Sequence, residues 1–273
     1  MPKACEGGNE RNHTGQPHDG GPFQHGELRP ENLGIAAAIA VCEEAVGDGG
    51  EESGPETEGG ARRDQQIAAL TSWATENNLW SPHLIPDELR DAGTREHVLF
   101  HRDEEPDRIF KITKGPGFGI YPLSLTRARW RAARYWFTDR PATPLEYFRR
   151  LFLSNVELLN HPDRLAYPVL NRLDGFVKRD GNLQAVTPQP IFEGTPADPR
   201  KITPWFQNRG FEFIRSWAWF RPVDGLAVFD TWMDNVMDPG DQLVPFDVIP
   251  VRATGNLLTE LHAALEHVRK SSL

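Results

Sequence analysis

The stretch "FDTWMDNVMDPGDQLVPFD", residues 229–247, contains the residues that decide which fold and function the chain is expected to have. Asp230 follows one apolar run, Asn235 comes five residues later, and Asp247 follows a second apolar run, "LVPF". Turn chemistry explains "MDPGDQ" in the middle, but it does not explain a carboxylate between "LVPF" and "VIPV". Oxygen ligands of this kind suit Mg²⁺. The stretch therefore indicates a metal-dependent site or, as the simpler alternative, a turn between two strands.

Phosphoryl transfer needs groups of these types in this order. In the kinase pattern, an Asp positions the acceptor hydroxyl, and an Asn five residues later holds Mg²⁺ together with the Asp of a later strand. The same pattern places a Lys on an N-terminal strand, paired with a Glu on the helix that follows. Lys111 lies in the alternating segment "RIFKIT". Glu146 is the preferred partner for it, and Glu157 is the alternative.

The patterns along the rest of the chain predict an α+β protein. Hairpins are expected at 97–113, around Asp180-Gly181 and at Asp224-Gly225, with one continuous strand over "QLVPFDVIPV" (242–251). Helices are expected at 61–80, at 143–160 with Thr143 as its cap, before Gly210, and over "NLLTELHAALEHVRK" (256–270). Runs of antiparallel hairpins separated by helices are not the order of a doubly wound sheet.

Composition separates the first 60 residues from the remainder. They hold 12 of the 39 acidic residues and 3 of the 30 basic ones, so they supply the whole net charge of −9. Residues 1–28 lack the apolar side chains that would offset the entropy cost of ordering. We therefore expect 1–60 to be a disordered, acidic, Gly-rich appendage with one short helix near 30–47, dispensable for the folding of 61–273.

Cysteine usage and hydropathy suggest a cytoplasmic protein. The chain has only Cys5 and Cys42, without metal-ligand spacing or a disulfide framework. Its longest apolar run, "IAAAIAVC" (35–42), is too short to span a bilayer. The polar first 34 residues predict no targeting segment, and no membrane partner is expected.

Four segments carry a resemblance to protein kinases: "EHVLFHRDEEPDRIFKITK" (96–114), "TPLEYFRRLFLSNVELL" (143–159), "TPQPIFEG" (187–194) and "FDTWMDNVMDPGDQLVPFDV" (229–248). More closely, the chain resembles the small Ser/Thr/Tyr kinase-like domains of polyvalent proteins from phages and conjugative elements. The resemblance implies a compact, atypical two-lobed fold with a reduced C-lobe, the N-lobe at about 61–186 and the C-lobe at about 190–273. It also implies that adenine binds at the hinge around Gln189 and that Gly93 lies near the phosphates.

The function that follows from the resemblance is an ATP- and Mg²⁺-dependent phosphotransferase acting on a hydroxyl of an unidentified protein or small molecule. Asp230 would position or deprotonate that hydroxyl, Asn235 and Asp247 would hold Mg²⁺, and Lys111 would contact the nucleotide phosphates. Transfer of a nucleotidyl group instead of a phosphoryl group stays open. A pseudokinase, binding nucleotide without transfer, is the alternative, since the chain has no G-x-G-x-x-G motif.

A third hypothesis concerns "LTRARWRAARYWFTDR" (125–140), where five Arg alternate with Trp and Tyr. Cationic and aromatic residues together can bind single-stranded nucleic acid. The commoner interpretation of such a stretch is an amphipathic helix with a solvated charged face. A nucleic-acid-associated accessory protein is therefore the least favoured of the three functions.

Overall fold

The computed structural model describes residues 30–47, 56–86, 94–115, 117–125, 137–158, 171–215, 217–240 and 242–271. Gly93 and the predicted disordered residues 1–28 lie outside these segments. The helices of the described segments are α1 (Pro30–Val46), α2 (Glu56–Glu76), α3 (Pro144–Leu153), α4 (Pro199–Gln207) and α5 (Gly255–Ser271).

The strands of the described segments pair antiparallel throughout their named sheets, which confirms the α+β class. They are β1 (His97–Phe100), β2 (Arg108–Thr113), β3 (Ile120–Leu125), β4 (Phe137–Pro141), β5 (Gly175–Arg179), β6 (Asn182–Pro190), β7 (Thr195–Pro196), β8 (Glu212–Arg215), β9 (Ala218–Arg221), β10 (Leu226–Phe229), β11 (Val236–Asp238), β12 (Val244–Pro245) and β13 (Ile249–Arg252).

The first sheet has the order β1-β2-β6-β5 and contains two of the predicted hairpins. Asp180 and Gly181 both have positive φ, 52° and 76°, as a two-residue turn joining twisted strands requires. In β2, Phe110 and Ile112 are fully buried on one face. Because successive side chains alternate across a strand, Lys111 points to the opposite face.

The second sheet has the order β13-β10-β9-β8. It contains the predicted hairpin at Asp224-Gly225, formed by β9 and β10. The expected first strand of that hairpin is divided into β8 and β9, because the chain reverses an additional time near Trp217, whose φ is 65°. The predicted strand 242–251 is two strands, since β12 pairs with β11 in a three-stranded sheet while β13 pairs with β10. The chain must bend between the sheets, and Asp247 lies in that bend.

Helix α3 begins where the sequence predicts. The Thr143 hydroxyl accepts a hydrogen bond from the Glu146 backbone N–H, and the Glu146 carboxylate accepts one from the Thr143 N–H, forming a capping box. The helix is buried on nearly all sides, and a π-helical turn (Ser154–Leu158) continues it. It is thus a central element that contacts β6 of the first sheet and β13 of the second.

Helix α1 is part of the folded core, so the expectation that 1–60 forms an appendage is wrong for residues 30–47. Ile35, Ala38 and Cys42 are fully buried in a cluster with residues of α2 and α3. Asn155 of the π-turn donates a 2.7 Å hydrogen bond to the side chain of Asn32. Burial at this depth stabilises a fold by about 1.5–3 kcal/mol for each large aliphatic side chain.

The predicted amphipathic helix over the Arg/Trp stretch at 125–140 is wrong at both ends, because Leu125 belongs to β3 and residues 137–140 belong to β4. Residues 126–136 lie outside the described segments. None of the helices in the described part of the chain combines the length and apolarity that a bilayer crossing requires.

Candidate functional site

Lys111 of β2 and Asp247 of the bend before β13 form an ion pair. The Lys111 Nζ lies 3.3 Å from the Asp247 Oδ1, although 136 residues separate the two. Burial by itself would raise the pKa of the Asp247 carboxyl, but Lys111 and Arg150 hold that pKa below its usual range. The carboxylate is therefore ionised and available as a metal ligand.

The predicted pairing of Lys111 with Glu146 is wrong. The Glu146 carboxylate accepts hydrogen bonds from both terminal nitrogens of Arg140, at 2.5 and 2.7 Å, in addition to its capping contact. Glu157, the alternative, pairs with Arg221 and Arg252 at 2.6 Å each. Both glutamates are therefore paired with arginines, and the carboxylate that pairs with Lys111 is that of Asp247.

Asp230 has a strained backbone and a perturbed carboxyl group. Its φ is 58°, the left-handed region, which costs energy for a residue with a side chain. Burial and then the charge of Asp247 raise the pKa of Asp230 to about 6. A carboxylate with a pKa near 6 accepts a proton more readily than an ordinary Asp, as a general base should.

Asn235 is bound to Asp230 through its side-chain amide and to Phe246, the residue before Asp247, through its backbone carbonyl. Its Nδ2 donates a 2.7 Å hydrogen bond to the backbone carbonyl of Asp230. The Phe246 N–H donates to the Asn235 carbonyl at 3.1 Å, one residue before Asp247. The structure therefore connects four of the predicted site residues, through the Lys111–Asp247 ion pair, the Asn235–Asp230 hydrogen bond and the Phe246 N–H that binds Asn235.

The metal-ligating capacity of this group is small. No three His, Cys, Asp or Glu side chains within the described segments cluster so that they could hold a metal ion by themselves. Mg²⁺ that accompanies a nucleotide needs only one or two protein ligands, because water and phosphate oxygens complete its shell. The Asp247 carboxylate fits this requirement, and so does the Asn235 amide oxygen, since the amide nitrogen is directed at Asp230.

A cavity of about 330 Å³ opens beside the ion pair. Apolar side chains of β1, β2 and β11 line it, together with the segment after β6, and Lys111 and Asp247 belong to the same lining. The lining includes Leu99, Ile109, Gln189, Ile191, Phe192, Met237 and Phe246. Gln189 is 2% exposed, and its Nε2 donates a 2.7 Å hydrogen bond to the Phe246 carbonyl, so its side chain fixes one wall.

Sequence reasoning missed a buried polar group behind the ion pair. Arg150 of α3 lies 2.5 Å from Glu96, and the His97 ring lies 3.2 Å from the Tyr147 hydroxyl. Burial and then the charge of Lys111 lower the pKa of His97 to about 4, so this ring is neutral near pH 7. Tyr147, Arg150 and Ser154 are spaced i, i+3 and i+7, a signal for a second, polar stripe on α3.

Comparisons with known proteins identify no relative: no family model matches the chain, and searches of curated proteins and of solved structures find no significant match.

Proposed function

We propose that the protein is an ATP- and Mg²⁺-dependent phosphotransferase of a compact, kinase-like two-lobed fold, acting on a hydroxyl acceptor. The observation that carries the proposal is a cavity of about 330 Å³ whose lining combines apolar side chains with the Lys111–Asp247 ion pair. A nucleotide has the same two parts, since an apolar base is joined to anionic phosphates. Cavities that bind small molecules commonly measure about 300–1,000 Å³.

The division into lobes is supported by where the site residues come from. Lys111 lies on the sheet that α3 packs near, whereas Asp230, Asn235 and Asp247 belong to the segments between β10 and β13. The connection between these halves is the chain after β6, which lines the cavity. A nucleotide bound there would contact residues of both lobes.

Each residue of the site has a role in the proposed reaction. The Lys111 ammonium would contact the phosphates, and Asp247 with the Asn235 amide oxygen would hold Mg²⁺, which supplies positive charge to the phosphates when bound. Asp230, with its raised pKa, would accept the proton of the acceptor hydroxyl as that oxygen attacks the γ-phosphorus. The bond from the γ-phosphorus to the β-phosphate oxygen would break in the same step, and ADP would leave. The apolar walls, including Leu99 and Met237, would hold the base and exclude water.

A nucleotide-binding protein without transfer activity is the second candidate. The Lys111–Asp247 pair favours it, because the cation for the phosphates and the carboxylate for the metal neutralise each other at 3.3 Å. Transfer requires that this pair opens, whereas binding of the base requires only the apolar cavity.

The test uses ATP carrying a radioactive label on either the γ- or the α-phosphate, with Mg²⁺ and a panel of hydroxyl acceptors that includes the protein itself. Movement of the γ label identifies a phosphotransferase, and movement of the α label identifies a nucleotidyltransferase. Nucleotide binding by calorimetry without movement of either label supports the second candidate. Absence of nucleotide binding would contradict both.

A further inference from the structure

Helix α3 presents Arg150 to the site, although a glutamate of this helix was the residue expected to reach Lys111. Arg150 is 7% exposed and bound on two sides. Its Nη1 lies 2.5 Å from the Glu96 Oε2, and its Nε donates a hydrogen bond to the Val248 carbonyl at 3.3 Å. The second contact reaches the residue directly after Asp247, so α3 is joined to the bend that carries this carboxylate.

Glu96 in turn is fixed by the backbone at the start of β3. Its Oε2 accepts a 3.1 Å hydrogen bond from the Ile120 N–H, and it directly precedes β1. A guanidinium group held by directional contacts from two nitrogens has little freedom to turn. Arg150 therefore forms a rigid link between Glu96 and the Asp247–Val248 backbone.

A small cavity shows how near this link is to the reacting groups. It has a volume of about 10 Å³, enough for one water molecule, and Lys111, Arg150 and Asp247 all line it. Asp247 thus has one cation, Lys111, in direct contact and a second, Arg150, beside it. Of these two cations, Lys111 also lines the nucleotide-sized cavity and Arg150 does not, so Lys111 is the one placed to turn toward phosphates.

We infer that Arg150 is the positioning residue of the site, holding the Asp247 bend against α3 and remaining as the fixed cation when Lys111 leaves Asp247 for a bound nucleotide. This inference rests on the proposed function. When a nucleotide binds, Lys111 must leave Asp247 for the phosphates, and Asp247 must take Mg²⁺ in its place. Without Arg150, the Asp247 carboxylate would then have no neighbouring cation and no contact holding its backbone against α3. Arg150 does not touch the nucleotide and acts through the orientation of Asp247.

The test compares three proteins: wild type, Arg150→Met, and the double variant Glu96→Gln/Arg150→Met. Removing Arg150 alone leaves the Glu96 carboxylate buried without its cation, which can prevent folding. The double variant removes both charges, and glutamine can still accept the hydrogen bond from Ile120. Arg149→Met is the matched control on the same helix, since the Arg149 side chain is 43% exposed and pairs with Glu43.

The first measurement is ATP affinity with and without Mg²⁺. Partners that orient a metal ligand usually contribute about 10- to 100-fold to metal affinity. The double variant should therefore lose most of the affinity that Mg²⁺ adds, by roughly tenfold or more, while its affinity for ATP in EDTA stays within about twofold because Lys111 is intact. An unchanged Mg²⁺ contribution in the double variant would overturn the inference.

The second measurement needs no nucleotide. Hydrogen exchange of the Phe246 amide, which donates to the Asn235 carbonyl, reports whether the bend is held. Exchange should be faster in the double variant and unchanged in Arg149→Met, and equal rates in wild type and the double variant would contradict a positioning role.

If wild type shows no Mg²⁺-dependent ATP affinity, the proposed function is wrong, and the inference about Arg150 is wrong with it. Loss of that affinity only in the variants leaves the function standing.

Discussion

Substitution of Asp230 by Asn should make the protein more stable and much less active. The φ of Asp230 is 58°, a region in which Asn and Asp are the side chains best tolerated. The hydrogen bond that Asn235 donates to residue 230 goes to its backbone carbonyl, which the substitution leaves in place. The change therefore removes the charge of the carboxylate with little effect on the local backbone.

The size of the stability effect follows from the raised pKa. Burial and the charge of Asp247 raise the pKa of Asp230 from an ordinary 3.8 to about 6. Because the folded state binds this proton more tightly than the unfolded state, the group stabilises the fold at low pH, and this contribution is lost as pH rises from about 4 to about 6. Two pH units correspond to roughly 2.7 kcal/mol. Partial exposure of the carboxylate reduces this to about 1–2 kcal/mol.

At pH 7.5 the Asp230→Asn protein should thus unfold at a temperature higher by about 2–6 °C, whereas near pH 3.5 the two proteins should unfold together. Thermal unfolding followed by circular dichroism measures both. Asp180→Asn is the matched control, because Asp180 also has a positive φ, 52°, but lies exposed in the β5–β6 turn. It should change stability by no more than about 0.5 kcal/mol.

Transfer should respond in the opposite direction. The Asp230→Asn protein should move the γ label about 10² times more slowly or worse, at saturating Mg-ATP. The wild-type rate should fall about tenfold per pH unit below pH 6, where Asp230 is protonated, and the residual rate of the variant should lack this dependence. Lower stability of the variant at pH 7.5, or transfer within a few-fold of wild type, would refute the assignment of Asp230 as a desolvated base.

Three further predictions concern the ion pair and α1. Asp247→Asn should abolish transfer and weaken Mg²⁺-dependent nucleotide affinity by about tenfold or more, because it removes a metal ligand; Glu266→Gln, at an exposed pair on α5, should do neither. Lys111→Ala should weaken Mg-ATP binding while it lowers the unfolding temperature only slightly. If calorimetry gives the variant the same Mg-ATP affinity as wild type, Lys111 is not part of the site. Ile35→Ala should cost about 2–4 kcal/mol in urea unfolding, since Ile35 is fully buried. Leu33→Ala, at a side chain that is 54% exposed, should cost less than about 0.5 kcal/mol, and equal costs would mean that α1 does not dock.

The sequence by itself determined those features that short segments encode. Asp180-Gly181 predicts its own turn because both residues adopt positive φ readily, and Thr143 predicts the start of α3 because its cap lies within three residues. Apolar alternation in β2 identified Lys111 as a cation inside a sheet. The order of these local elements was sufficient for the α+β class, with Asp230, Asn235 and Asp247 as candidates for one site.

Only the tertiary structure decided which groups meet. Lys111 could pair with any carboxylate that the fold brings near, and nothing local distinguishes Glu146 or Glu157 from Asp247 as its partner. The apolar run of 242–251 hides a bend, since its two halves pair with different sheets. Helix α1 looked independent because a charged, Gly-rich segment follows it, yet its buried face packs against residues more than a hundred positions away. The ion-pair partner of Lys111 and the packing of α1 depend on contacts between segments far apart in sequence. These contacts form only in the folded chain, so no local pattern predicts them.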